Sequence, residues 1–194
     1  MLPSQRSGSS VIRVASVPGR LVVGVEQGRT KASGPQFVGG LQGDLLDRLL
    51  AWWRHELAGA PTFLDLATDR PRPPVRRARG ACVRRPLPVG LAAQVRALSS
   101  AEGVTPFMVW LAAFQAQLHR ATGQDDLLVG APVASRHRPE LEGLIGLFVD
   151  TVVLRGRFQG SDSFRELLAR TRETALAAFA HQDLPLGRLV AELR

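Results

Sequence analysis

A histidine, a glutamine and an aspartate stand together near the end of the chain, in the stretch AFAHQDLPLGRLV of residues 178–190. A histidine close to a carboxylate is a combination that general acid–base catalysis uses. Adjacent residues of one turn, however, seldom converge on one reacting atom, and the same residue types also begin and end helices. The pattern therefore favours helix punctuation: His181 donates to the carbonyls that end one helix, and Asp183 caps the next, with Pro185 near its first turn.

The other residues that could do chemistry are isolated from one another. The histidines are His55, His119, His137 and His181, and none has a neighbouring histidine or a carboxylate four residues later. A zinc site without cysteines would need histidines and carboxylates at close helical spacing. The single cysteine, Cys82, excludes a disulfide within the chain and any metal cluster built on cysteines. The spacing of the histidines and the single cysteine therefore predict no metal site. There is also no glycine-rich phosphate loop and no G-x-S-x-G motif.

Asp150 is the anomaly among the carboxylates. It lies within LFVDTVVLRG (residues 147–156), where both alternating sets of side chains are mainly apolar, which predicts an interior strand covered on both faces. A buried carboxylate has to be paired or hydrogen-bonded. Two interpretations are equally supported: Arg136 or a backbone amide satisfies Asp150, or Asp150 faces a cleft through which a polar substrate passes.

Capping residues mark the predicted helices that would position these groups. Thr105 followed by Pro106 predicts the start of a largely apolar, buried helix that ends at Gly123. Ser163 and Glu166 form a capping-box pattern ahead of another helix. The apolar face of that helix is predicted to consist of Phe164, Leu167, Leu168, Thr171, Ala175, Leu176 and Phe179.

The remaining elements alternate with these helices. Asp44 is placed to cap a first helix, and a further helix is predicted over residues 90–103. Strands are predicted at residues 81–87, 125–134 and 147–156. This order of helices and strands indicates an α/β fold in layers, with a sheet covered by helices.

The composition limits the function classes. The net charge is +8, but all of the 25 basic residues except Lys31 are arginines, and tyrosine is absent. The excess charge is concentrated before residue 43 and in residues 70–90. We interpret this bias as that of a GC-rich genome, and we expect no nucleic-acid partner.

The N-terminal residues do not have the pattern of a signal peptide. Arg13 and Arg20 interrupt the apolar run that a signal peptide would need, and no stretch of the chain is long and apolar enough for a membrane span. Residues 1–42 show no sustained periodicity and are interpreted as a poorly structured leader. We therefore expect a cytoplasmic protein without a membrane partner.

Three stretches together resemble the condensation domains of nonribosomal peptide synthetases. Residues 105–156 and 181–190 resemble the C-terminal half of such domains, and residues 49–74 resemble the segment just before it. IGLFVDT (residues 145–151) matches the family's I/V-G-x-F-V-N-T motif, and HQDLP (residues 181–185) matches its H/N-Q-D-x-P motif. The resemblance covers residues 43–194 in collinear order, and residues 1–42 show none.

The resemblance implies a fold and a reaction. The fold is that of chloramphenicol acetyltransferase, a two-layer sandwich with a mixed sheet, in which two related α/β lobes enclose a tunnel. Carrier proteins deliver the donor thioester and the acceptor amine on phosphopantetheine arms, and no further cofactor is expected. A histidine of an H-H-x-x-x-D-G motif in the N-terminal lobe helps to position or deprotonate the amine. That motif is absent here, so we expect no catalytic residue in this chain.

The chain departs from the family pattern at particular positions. Asp150 stands where the family usually has asparagine, and Leu186 and Gly187 replace the usual phenylalanine and glutamate. The sequence looks cut at both ends, with an unrelated leader in front and a missing tail after Arg194. The candidates for the side of the tunnel are Asp150, Thr151, Gly146 and Arg136. The residues of the second motif that are expected to be structural are His181, Gln182, Asp183 and Pro185.

The sequence thus predicts one lobe of a condensation domain, with residues 1–42 as a leader and residues 43–194 as the partial domain. Its expected partners are peptidyl carrier proteins, adjoining synthetase domains and the missing N-terminal lobe. Two alternatives stay open. The chain could be a non-catalytic remnant or docking piece, or it could come from an epimerisation domain or a standalone acyltransferase of the same fold.

Overall fold

The computed structural model describes residues 10–17, 20–27, 41–67, 69, 86–134 and 149–193. Within these residues, four strands form one sheet in the order β2-β1-β3-β4. The strands are β1 (Ser10–Val17), β2 (Arg20–Gln27), β3 (Asp126–Ala134) and β4 (Val149–Arg157). The helices are α1 (Asp44–Glu56), α2 (Leu91–Ala101), α3 (Pro106–Thr122), α4 (Phe164–Ala180) and α5 (Leu186–Glu192).

The sheet is mixed, as the family resemblance implied. β3 and β4 are antiparallel and pair along their whole length, from Asp126 opposite Arg157 to Ala134 opposite Val149. β1 is antiparallel to β2 and parallel to β3. Helix α4 packs against both β4 and α3, and α5 packs against β4. Helices and sheet therefore form the layered α/β arrangement that the sequence predicted.

Residues 10–17 and 20–27, within the stretch interpreted as a leader, form the β1–β2 hairpin. Both segments are rich in valine, and Pro18 and Gly19 separate them in the sequence. Valine and isoleucine favour extended backbone because their branched side chains restrict the first side-chain torsion. This composition was a strand signal that the absence of periodicity obscured.

The prediction for β4 is half confirmed. Thr151, Val152, Leu154 and Arg155 are buried, so side chains on both faces of the strand are covered. Within the described part of the chain, however, β4 pairs with β3 alone and lies at an edge of the sheet. Helices α4 and α5 therefore supply burial that the sequence analysis had attributed to an interior position.

Local capping chemistry fixes α3 and α4 as predicted. The Thr105 hydroxyl accepts a hydrogen bond from the Met108 amide at 3.3 Å, Pro106 opens α3, and Gly123 ends it with a φ of 70°. Ser163 and Glu166 form the reciprocal capping box at the start of α4. The interior of α3 is largely buried, because it packs against both α2 and α4.

Two details of the helix predictions are wrong. Asp44 does not cap α1: Gly43 occupies that position, and Asp44 is the first helical residue, where its charge still favours the helix N-terminus. On α4, Leu176 is 48% exposed and Phe164 is 40% exposed. The buried face of α4 instead continues through Ala178, which is 1% exposed, because a straight helix with 3.6 residues per turn brings only part of a wide apolar stripe against the sheet.

The core lies between the sheet and these helices. Its largest fully buried side chains include Trp53 of α1, Leu111 of α3, Leu154 of β4 and Leu168 of α4. In the described part of the chain, no single helix has the length and apolar composition to cross a bilayer. Helices α2 and α3 reach the required length and apolar composition only when they are taken as a pair, and the pair is bent by 103°.

Candidate functional site

Asp150 is the second residue of β4, at the end of the strand rather than in its middle, and its side chain is half-buried. Its Oδ1 accepts hydrogen bonds from the Thr151 amide at 2.7 Å and from the Leu186 amide at 3.4 Å. Because Leu186 begins α5, the carboxylate lies beside amide groups that have no partner within their helix. Backbone amides therefore donate to Oδ1 of Asp150, as the first of the two interpretations allows, and Arg136 lies outside the described residues.

His181 ends α4. Its Nδ1 lies 2.8 Å from the carbonyl oxygen of Ala177. A carbonyl only accepts hydrogen bonds, so Nδ1 carries the proton and donates it. The imidazole ring stacks on the indole of Trp52, with ring centroids 4.0 Å apart and an angle of 4° between the planes. The side chain is therefore held by α4 and α1 together, and the prediction that His181 donates to helix carbonyls is confirmed.

A second tryptophan forms a hydrogen bond to the backbone of the same turn. The Trp53 indole Nε1 donates to the carbonyl oxygen of His181 at 3.0 Å, and Trp53 is only 2% exposed. Its ring meets Trp52 edge to face at 4.6 Å. No sequence motif gives these tryptophans a role in this turn. The signal available was two adjacent indoles on a helix, of which one N–H had to find a partner once buried.

The rest of the HQDLP turn differs from the prediction. Pro185, not Asp183, occupies the N-cap position of α5, and no side chain caps that helix. Asp183 is exposed and Gln182 is half-buried. The cap prediction failed because Pro185 already has the extended backbone that an N-cap needs, with φ −60° and ψ 137°. The helix therefore begins at Leu186, two residues later than a helix capped by Asp183 would begin.

The structure brings part of the predicted site together. Asp150 and Thr151 lie beside the start of α5, directly after the HQDLP turn. Gly146 and Arg136 lie outside the described residues. The described residues contain no group of three or more side chains that could hold a metal ion. What the geometry offers here is a hydrogen-bond acceptor at a strand end, next to a turn held by aromatic packing.

The opposite end of β4 holds a buried arginine that the sequence analysis did not single out. Arg155 Nε and Nη2 donate to the two carboxylate oxygens of Asp126 at 2.9 and 2.5 Å, and Nη1 donates to the carbonyl oxygens of Glu56 and Ala58 at 2.6 and 2.9 Å. The Asp126 hydrogen bonds raise the pKa of Arg155, against the opposing effect of burial. We call these four residues the Arg155 cluster; it ties the end of α1 to β3 and β4.

Two shallow cavities lie near this cluster and away from Asp150. One, of about 140 Å³, lies between β4 and α4, and Arg170 and Thr171 are among its lining residues. The other, of about 200 Å³, is lined by Trp52, Glu56 and residues of α4. Each arginine at these cavities has an acidic partner: Arg155 pairs with Asp126, Arg157 with Glu56, and Arg170 with Asp162. These ion pairs offset the charge of the arginines that line the two cavities.

The sequence profile of the Condensation domain family matches residues 39–194. That match covers well over half of the chain, including both motif segments. The chain belongs to the condensation domain family.

Curated relatives extend this result. The chain is 51% identical over 154 residues to phosphinothricin tripeptide synthetase PhsB of Streptomyces viridochromogenes, a match that covers 79% of this chain and 13% of the relative. It is 44% identical over 150 residues to malpinin synthetase of Mortierella alpina, a match that covers 77% of this chain and 2% of the relative. The chain therefore spans a small part of the proteins that it resembles.

Solved structures show the same fold. The first condensation domain of the CDA synthetase superposes with a TM-score of 0.65 at 23% identity, over 78% of this chain and 33% of that one. The X-domain from teicoplanin biosynthesis, solved in complex with OxyB, gives a TM-score of 0.73 at 27% identity, over 77% of this chain and 33% of that one. The described condensation lobe therefore corresponds to about one third of either structure.

Proposed function

We propose that this chain supplies the C-terminal lobe of a condensation domain that joins a carrier-bound donor to a carrier-bound acceptor. In that reaction the acceptor amine attacks the donor thioester, the C–N bond forms, the C–S bond breaks, and the amine proton leaves with the thiol of the donor arm. The observation that carries the proposal is the hydrogen bond from the Leu186 amide to Asp150, because it joins the two segments that carry the family motifs.

Within the proposed lobe, Asp150 acts at the side of the tunnel. Its Oδ1 accepts two backbone amides, and no residue that the structure describes donates to the second carboxylate oxygen, Oδ2, which would accept from an incoming amine or a positioned water. Thr151, Gly146 and Arg136 stay candidates for the same wall. His181 serves structure rather than proton transfer, since its Nδ1 proton is donated to the backbone and its ring is stacked.

The proposal assigns the proton-transfer group to the other lobe. No H-H-x-x-x-D-G motif occurs in this chain. The substrates would arrive on the phosphopantetheine arms of peptidyl carrier proteins, and adjoining synthetase domains would be the further partners. We infer a cytoplasmic location from the same family membership.

The test combines the chain with an N-terminal lobe that carries the H-H-x-x-x-D-G motif. The N-terminal lobe of a related condensation domain, with its H-H-x-x-x-D-G motif intact, is co-expressed with this chain and mixed with a donor-loaded and an acceptor-loaded carrier protein. We expect dipeptidyl product by mass spectrometry from the pair and none from either part alone. The matched control replaces the second histidine of the added lobe by alanine, which should abolish product. Product from this chain alone would contradict the assignment, because positioning and proton transfer both need the absent motif.

A second candidate function is a docking module without chemistry. The observation in its favour is the structural neighbour solved as a complex with OxyB, which shares this fold and was solved bound to another protein. In the combined assay, a docking module would bind the added lobe or a carrier protein, as measured by isothermal titration calorimetry, without forming product. Amide-bond formation above the histidine-to-alanine control would reject this candidate.

A further inference from the structure

The HQDLP turn is held to α1 through its backbone as well as through a side chain. The Trp53 indole Nε1 donates to the carbonyl oxygen of His181 at 3.0 Å, and Trp53 is 2% exposed. Carbonyl groups at the end of a helix have no partner within that helix, so this N–H satisfies a group that α4 leaves over. Trp52 instead stacks its ring on the His181 imidazole. Trp53 therefore holds the chain at the start of the turn, and Trp52 holds the side chain.

The other end of the same turn lies at Asp150. Leu186 begins α5, which packs against β4 and α1, and its amide donates to Asp150 Oδ1 at 3.4 Å. Four residues separate His181 from Leu186, and Leu184 among them is 4% exposed. A short segment that is fixed at its first carbonyl and buried in its middle has few conformations open to its last amide. The place of the Leu186 amide therefore depends on where Trp53 holds the turn.

We propose that Trp53 is a positioning residue for Asp150. Its indole N–H holds the HQDLP turn where the Leu186 amide donates to Oδ1, so that Oδ1 faces the backbone and Oδ2 is the oxygen presented to a substrate. The contact between Oδ2 and a substrate rests on the proposed function. The link from Trp53 to the Leu186 amide does not, because it consists of contacts within this chain.

The variants that test this role remove the indole N–H and keep an aromatic ring. Trp53→Phe is the first of them. A second form of the chain carries β-(3-benzothienyl)alanine at position 53, which has the size of tryptophan and a sulfur atom in place of the N–H. It is needed because the smaller phenylalanine ring leaves a cavity that lowers stability. Effects that the two forms share come from the missing N–H.

Two controls separate this role from stability alone. His181→Gln removes the ring stack but keeps the backbone carbonyl at position 181. Leu118→Ala truncates a side chain that is 5% exposed, on the part of α3 away from the turn. Leu118 is eleven residues beyond Phe107, whose ring lies near that of Phe179 just before the turn. This spacing places the truncation about 16 Å farther along α3.

The first measurement follows the amide proton resonances of Thr151 and Leu186 by NMR while the pH is lowered through the range in which carboxyl groups become protonated. An amide that donates to a carboxylate senses the change in its charge. Asp150→Asn identifies the titration steps that belong to Asp150, because asparagine does not ionise. We expect both forms without the indole N–H to reduce the Leu186 step to less than about half of its wild-type size, whereas the Thr151 step stays unchanged. The two controls should keep both steps.

The second measurement uses the assay with the co-expressed N-terminal lobe. We expect Trp53→Phe to lower turnover per folded molecule by about three- to tenfold, while the two controls stay near the wild-type chain. In a chain that carries Asp150→Ala, Trp53→Phe should cause no further loss of turnover, because a residue that acts through Asp150 has nothing left to position.

A Leu186 step of wild-type size in both forms that lack the N–H would overturn the proposal. So would an equal loss of that step in Leu118→Ala, because the step would then follow stability rather than the hydrogen bond. A further loss of turnover when Trp53→Phe is added to Asp150→Ala would also overturn it, since Trp53 would then act by another route. Absence of product from every pair of lobes would instead contradict the proposed function, and the NMR steps would still decide the link from Trp53 to Leu186.

Discussion

The two ends of β4 carry charged side chains of opposite kinds. At the C-terminal end, the Arg155 side chain is 7% exposed and donates four hydrogen bonds, two to a carboxylate and two to carbonyl oxygens. At the N-terminal end, Asp150 is half-buried and accepts two backbone amides through one oxygen. Arg155 uses four of its five N–H donors within the fold, whereas Asp150 accepts through Oδ1 alone from the residues that the structure describes.

This difference separates a structural charge from a candidate functional one. A guanidinium has five N–H donors, and Arg155 uses four of them to join three chain segments. A carboxylate that uses one oxygen for local backbone contacts can still accept from a ligand with the other. We therefore place the candidate tunnel-side group at the Asp150 end, and we expect mutations at the Arg155 end to affect folding alone.

The largest expected effect is at the Arg155 cluster. Arg155→Met keeps much of the side-chain volume but leaves the Asp126 carboxylate and the carbonyl oxygens of Glu56 and Ala58 without their donor. We expect the free energy of unfolding to fall by about 3 kcal/mol, since breaking one side of a buried ion pair is strongly destabilising. Urea denaturation followed by tryptophan fluorescence measures the change.

The control for this variant is Arg155→Lys. Lysine keeps the positive charge but cannot form the paired hydrogen bonds that the planar guanidinium makes, so it should recover less than half of the loss. If Arg155→Met changed the stability by less than about 1 kcal/mol, the cluster would not hold α1 to the sheet, and the contrast between the two ends of β4 would disappear.

A smaller loss in the free energy of unfolding is expected at the adjacent residue, Gly156. A Cβ at this position would lie 2.9 Å from the side chain of Gln115, which is itself buried at 1% exposure. Gln115 would have to move within the core, so we expect Gly156→Ala to cost about 2 kcal/mol in a denaturation experiment. Gly160→Ala is the control, since a Cβ there meets nothing within 4 Å. Equal stability of the two alanine variants would mean that Gln115 moves aside freely.

The structure also shows which features could be read from the sequence. The start of α3 at Thr105 and Pro106, and the capping box of Ser163 and Glu166, were predicted because each rests on residues within one turn. The Arg155 cluster was missed because it joins residues that are 29 and 99 positions apart in the chain. An arginine inside an otherwise apolar strand was the available signal, but its partners depend on tertiary packing.

The candidate site divides in the same way. His181 was correctly predicted to donate to helix carbonyls, since Ala177 is four residues away. The Trp52 stack and the Trp53 hydrogen bond come from α1, 128 residues away in the case of Trp53, and no local pattern predicts them. The prediction that Asp183 caps α5 was wrong because Pro185, two residues later, occupies the N-cap position with the extended backbone that an N-cap needs.

The next prediction tests whether the His181 side chain has a structural role, like Arg155, or a functional role, like the one proposed for Asp150. His181→Gln removes the stack on Trp52 and replaces the ring N–H that Ala177 accepts. We expect a loss of about 1.5 kcal/mol and a melting temperature lower by about 5 °C, measured by differential scanning calorimetry. His55→Gln, on the exposed face of α1, should leave the melting temperature unchanged. In the assay with the co-expressed N-terminal lobe, which we call the two-lobe assay, the rate per folded molecule of His181→Gln should stay near that of the wild-type chain. Abolished turnover in well-folded His181→Gln would contradict a purely structural role for His181.

The smallest effect on stability is expected at Asp150, where substitution also tests most directly whether the two ends of β4 differ in role. Asp150→Asn keeps an acceptor oxygen for the Thr151 and Leu186 amides, so the free energy of unfolding should change by less than about 0.5 kcal/mol, whereas Asp150→Ala should cost about 1 kcal/mol. Because Asp150 is half-buried, water can reach the amides that alanine exposes, which keeps this loss below that at Arg155. In the two-lobe assay, Asp150→Asn should stay active and Asp150→Ala should lose turnover beyond what its stability explains. If both variants lost only stability, Asp150 would be a structural charge like Arg155, and the two ends of β4 would differ in exposure alone.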